Sequence, residues 1–128
     1  MPTNFERVKE FHRTFGLPVL TKPQWPSAQA IERRGNLITE EKREYDEAIV
    51  AGDLVAVADA ITDLLYVAYG TAAEYGIDAD ACFAEVHDSN MSKLGADGKP
   101  IHRPSDGKVL KGPFFREPDL ATVLANQS

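Results

Sequence analysis

Apolar residues at helical intervals, broken by short glycine and proline runs, predict four or five helices in this chain. In 4–15, Phe5, Val8, Phe11 and Phe15 recur at helix spacing, and Gly16 stops the element. Pro18, Pro23 and Pro26 make the next stretch an extended connector, because proline lacks the amide hydrogen that a helix interior needs. Ser27 suits the N-cap of a second helix running to about Ala51, with Ile31, Ile38, Tyr45 and Ile49 as its apolar stripe. Gly52-Asp53 supplies a stop and a new cap, so a third helix spans about Leu54 to Tyr75, closed by Gly76. This third helix is apolar nearly all round, which demands cover from neighbours or from a second subunit. A fourth helix, capped by Asp78 or Asp80, reaches Leu94 and aligns Phe83, His87, Asn90 and Leu94. From Gly95 to Pro118 glycine and proline accumulate in an arm without regular structure, where VLKGPFF is the one candidate extended stretch. Residues 119–126 make a short last helix. The expected fold is all-α: a four- to five-helix bundle with a Gly/Pro-rich basic C-terminal arm, a single domain over 1–128, and a homodimer.

Acidic residues interrupt this pattern twice. Glu40, Glu41 and Glu44 lie on the second helix, beside its apolar stripe; Asp59 and Asp63 lie one turn apart in the apolar third helix. A hairpin at Gly52 sets the two helices antiparallel, and the clusters fall about ten residues before and after the turn. They therefore come level. Alone, the first cluster reads as solvated helix surface. Opposite a second, it reads as an oxygen-rich pocket for a hard divalent cation such as Mg²⁺, for which Mn²⁺ can substitute.

Composition narrows the class further. The net charge of −6 argues against a nucleic-acid-coating surface. That charge is uneven: 95–116 carries +3 and the remainder −9, which suits a metal-bound polyanion or, equally, ordinary surface clustering. The one cysteine, Cys82, precludes an internal disulfide and reads as a small core residue. No uninterrupted apolar run approaches the roughly 20 residues of a membrane span, and the first residues lack the apolar core of a signal peptide. The expectation is a cytoplasmic protein with no membrane and no nucleic-acid partner.

With EEKRE at 40–44 and Asp63 followed by LLY, the chain resembles the all-α nucleoside triphosphate pyrophosphohydrolase superfamily: MazG-like enzymes, dimeric dUTPases and phosphoribosyl-ATP pyrophosphohydrolases. The pattern of that superfamily is EExxE on one helix and ExxD on the next. Here Ala60 stands where the second motif begins, and Asp59 is the nearest acid. SNMSKLGADGKPIHR and DGKVLKGPFF resemble the phosphoribosyl-ATP pyrophosphohydrolase-like branch, and the likeness runs from about Phe11 to Asp119.

The resemblance implies Mg²⁺-dependent hydrolysis of a nucleoside triphosphate between its α- and β-phosphates, with dUTP or another deoxynucleotide as first substrate and phosphoribosyl-ATP as second. It implies Glu41, Glu44, Asp63 and Asp59 as metal ligands, and Glu40 with Glu41 as the catalytic carboxylates. Asn90, Lys93, Lys108, Lys111 and His87 become the substrate-binding set. No GxxxxGK[ST] loop is present, which excludes a P-loop mechanism. The rival class is a helical interaction or nucleotide-sensing module whose acids hold metal without turnover. His12 and His102 read as surface or hydrogen-bonded structure, Trp25 as a plug for the bundle end or a stacking platform, and Tyr66 and Tyr69 as packing or dimer contacts.

Overall fold

The computed structural model describes residues 1–127 and divides them into two compact units, 1–79 and 80–127. The first contains α1 (Asn4–Thr14), α2 (Ala28–Ala51) and α3 (Leu54–Tyr75). Each helix begins on a side-chain oxygen that accepts an otherwise orphaned amide. Thr3 and Glu6 form a reciprocal capping box, Ser27 accepts from the Ala30 amide and Asp53 from that of Ala56. Gly52 and Gly76 end α2 and α3 at φ +64° and +69°, where a side chain would be strained. At Gly76 a Cβ would also fall 2.1 Å from the Lys22 carbonyl.

The connector does not wander. Leu20 and Gln24 donate their amides to Ala73 and Tyr75 at 2.9 Å, and Pro18 offers its carbonyl to buried His12 Nδ1 at 2.9 Å. It therefore runs along the last turn of α3. Trp25, expected as a plug, is 80% exposed and meets Tyr75 edge-on, at 5.8 Å between ring centres.

α3 packs on both α2 and α1. The buried positions are Phe5, Val8 and His12 of α1, Ala30, Arg34 and Ala48 of α2, and Ala60, Gly70, Ala73 and Glu74 of α3. This corrects the predicted stripe of α2. Ile31, Ile38 and Ile49 stay exposed, and small residues take the contact, because short side chains let two backbones approach closely. The face toward α3 is thus rotated off the isoleucines and onto the acids. Leu54, Val55, Ile61 and Leu65 of α3 are exposed as well. By length and composition alone α3, 22 residues with an 18-residue stretch of mean hydropathy 1.4, is long and apolar enough to cross a membrane. Asp59 and Asp63 nevertheless interrupt its apolar run, as the sequence indicates.

The second unit contains α4 (Ala79–Met91), the antiparallel pair β1 (Ile101–His102) and β2 (Val109–Leu110), and α5 (Leu120–Ala125). α4 stops at Met91, short of the expected Leu94, where Ser92 Oγ donates back to the Ser89 carbonyl at 2.6 Å. The arm folds back on α4. Glu85 accepts from Arg116 Nη1 at 2.6 Å and from the Asp119 amide at 2.9 Å, while Ser89 Oγ donates to the Arg116 carbonyl at 2.8 Å. β2 falls within VLKGPFF, the stretch expected to be extended, while its partner β1 occupies chain expected to be irregular.

Candidate metal centre

One carboxylate oxygen from each of Glu41, Glu44 and Asp63 lies within 4.8 Å of the others. All three side chains are half-buried where α2 meets α3. Glu41 and Glu44 share a face because they are three residues apart, and the Gly52 turn brings Asp63 level with them. The charged groups that act on Glu41 (Glu44, Asp63 and Glu40) are all acids. Its Oε2 is the one buried side-chain polar atom without a hydrogen-bond partner among the described residues.

The electrostatics follow from that arrangement. Glu41 is pushed up to about 7, first by burial, then by the hydrogen bond and charge of Glu44, then by the charges of Asp63 and Glu40. Asp63 is also raised, by burial first and then by Asp59 and Glu44. Three crowded acids with no cation beside them are unfavourable. An octahedral Mg²⁺ takes oxygens at about 2.1 Å, hence donors about 3–4 Å apart. Small rotamer adjustments bring the three oxygens into that range, and an oxygen with no donor is free to ligate. The donor set therefore fits a hard divalent cation.

The remaining predicted residues stand differently. Asp59 is exposed and outside the three-oxygen cluster, near enough to raise Asp63. Ala60, where the superfamily motif has its acid, is buried in the helix contact. Glu40 is exposed and acts on Glu41 through its charge. It also lines an open groove of about 300 Å³ along α2, with Gln29, Glu32, Arg33, Asn36 and Leu37. His87, Asn90, Lys93, Lys108 and Lys111 all lie in the second unit. His87 and Asn90 are exposed and not packed on a stripe. Lys111 is already engaged by Glu117 at 3.5 Å and by the Phe115 ring at 4.6 Å.

Sequence reasoning missed Arg34 and Glu74. Glu74 is 1% exposed and accepts from Arg34 Nη1 at 2.9 Å and Arg33 Nη2 at 3.0 Å. Arg34 further donates through Nε to Thr71 Oγ1 at 3.1 Å and through Nη2 to the Val67 carbonyl at 2.9 Å. The available signal was a lone glutamate at the end of an apolar helix, since a buried charge requires a partner.

Fold and site define a helical protein with a cluster of three carboxylates, suited to a cation, on an antiparallel helix pair. The family model of phosphoribosyl-ATP pyrophosphohydrolase matches residues 8–90, and the chain belongs to that family, within the MazG-like all-α NTP pyrophosphohydrolases. The chain is 39% identical over 82 residues to the uncharacterized protein L479 of Acanthamoeba polyphaga mimivirus, a match covering 61% of this chain. That match spans about a third (33%) of the viral protein's length. Among solved structures it is similar to a protein of Exiguobacterium sp. 255-15 provisionally named an NTP pyrophosphohydrolase, at a TM-score of 0.56 and 28% identity, covering 98% of this chain and 96% of that one.

Proposed function

We propose that this protein hydrolyses a nucleoside triphosphate at the α–β phosphate bond, releasing a nucleoside monophosphate and pyrophosphate, with Mg²⁺ as cofactor. The observation that carries the reading is the convergence of Glu41, Glu44 and Asp63, with Glu41 Oε2 buried and lacking a donor. These three residues would hold the cation, and Asp59, one turn away, would complete the set or hold a second ion. Bound there, Mg²⁺ supplies charge neutralisation for the phosphates and a water of lowered pKa. Phosphoryl transfer needs positioning and electrostatic stabilisation more than a protein nucleophile, and no nucleophile is assigned. Water adds across the anhydride, its proton passes to Glu40, and the bridging oxygen leaves with pyrophosphate. Glu40 suits that role because it is open to solvent beside the cluster. The family resemblance offers Asn90, Lys93, Lys108, Lys111 and His87, all in the second unit, as the substrate-contacting candidates to vary, with Lys111 paired to Glu117.

dUTP or another deoxynucleotide is the first substrate to test. Phosphoribosyl-ATP is the second, favoured by the family to which residues 8–90 belong. The exposed apolar side of α3 supports a homodimer in which a second copy covers Leu54, Val55, Ile61 and Leu65, and the location proposed for it is the cytoplasm. A panel of nucleoside triphosphates with Mg²⁺, read by pyrophosphate release, tests the activity. Release should be abolished in Asp63→Asn with the helical content unchanged. Nucleotide binding without pyrophosphate from any substrate would instead support a sensing module.

A further inference from the structure

The α2–α3 contact carries a second charged assembly that the hydrolytic reading does not use. Arg34 precedes Glu41 by two helical turns, so both project toward α3. Val67, whose carbonyl Arg34 reaches, follows Asp63 by one turn. The guanidinium spends its three nitrogens on three partners of one helix: Glu74, Thr71 and the backbone at Val67. Thr71 Oγ1 donates to that same carbonyl at 2.7 Å. Both Glu74 oxygens are occupied, the second by Arg33. Only one axial and rotational setting of α3 against α2 satisfies all these bonds. Small residues such as Ala48 and Ala60 in the rest of the contact allow others, since a one-residue slip shifts a helix by about 1.5 Å and turns it by about 100°. Such a slip would swing Asp63 away from Glu41 and Glu44. Gly70 fits the same picture: a Cβ there would meet Arg34 Nη2 at 2.5 Å and His12 Nε2 at 2.7 Å, so the guanidinium lies directly against the α3 backbone.

We propose that Arg34 and Glu74 are positioning residues for the cation centre, a clamp that fixes the register of α3 on α2 and thereby holds Asp63 opposite Glu41 and Glu44. The inference rests on the metal-dependent reading above. Buried ion pairs are poor sources of stability but are well attested as devices that select one register.

The test separates register from stability. In Arg34→Met/Glu74→Met both charges are replaced together by apolar chains, so that neither is left buried without its partner. Mn²⁺ affinity is measured by electron paramagnetic resonance on the whole chain, beside thermal melting without metal. The expected result is a melting temperature at or above that of the parent, with Mn²⁺ binding weakened about tenfold or more. Equal Mn²⁺ affinity in parent and variant overturns the clamp and leaves the metal reading standing. A parent that binds no Mn²⁺ overturns both. Should the double variant fail to fold, Thr71→Val, which removes one partner of Arg34, is judged by the same measure. A two- to threefold loss of Mn²⁺ affinity at unchanged melting temperature supports the proposal, and no loss overturns it.

Discussion

At one end of the α2–α3 contact Arg34 and Arg33 meet Glu74; two turns along, Glu41, Glu44 and Asp63 meet one another. The same two helices bury charge at both places with similar side chains. At the first, every oxygen has a cationic donor, and burial is compensated. At the second, like charges crowd and one oxygen has no donor. The lesson is that burial alone does not mark a site. A completed network explains itself by holding the fold, whereas an uncompensated one needs something the chain does not provide.

Breaking the compensated end should have the largest effect on stability. Arg34→Met alone leaves Glu74 buried beside Arg33 only, and should cost about 3–5 kcal/mol in denaturant unfolding. A cost below about 1 kcal/mol would mean that Arg33 suffices. The uncompensated end should respond in the opposite sense. Glu44→Gln removes a like charge, so the metal-free protein should melt higher, while pyrophosphate release falls roughly 10²–10³-fold. A variant that melts lower without metal would contradict the crowding of acids.

Gly70→Ala presses a methyl on Arg34 and His12 and should destabilise by about 1–3 kcal/mol. Combined with Arg34→Met it should cost less than the sum of the two, as a double-mutant cycle would read. A pH effect accompanies these. Glu41 is raised from 4.5 to about 7 in the folded chain, so its protonated form is the one folding favours. Its contribution is complete below about pH 4.5 and is lost as pH rises through about 7. The metal-free melting temperature should fall across that window, and saturating Mg²⁺ should remove the fall. Metal affinity should rise over the same range, because binding releases the proton. Melting curves with and without metal check both, and a flat metal-free profile would count against the raised Glu41.

The hairpin that makes this comparison possible was legible from local chemistry. Ser27, Gly52, Asp53 and Gly76 bound α2 and α3 where the capping rules put them, and equal distance from the turn aligned the acids. Which face α2 buries was not legible. Periodicity finds the isoleucine stripe but cannot tell a face closed within the chain from one left open, and close packing selected Ala30, Arg34 and Ala48 instead. Glu74 was overlooked because a charge at a helix end resembles fraying surface until its partners, about 40 residues earlier in the chain, are in place. The hub at Glu85 of α4 depends on contacts with Arg116 and Asp119, 31 and 34 residues later in the chain. No spacing rule anticipates those.

The tight connection at Gly52 also sets an order of assembly. Contacts nearest a reversal close the shortest loops and lose the least chain entropy, so hairpin pairing is expected to travel outward from it like a zip. Glu41 and Asp63 are engaged early on that path; Arg34 and Glu74, 40 residues apart, are among the last teeth. A nascent chain would thus gather its acids before the fastening that keeps them in line, and an ion captured at that moment would favour the correct alignment over a slipped one.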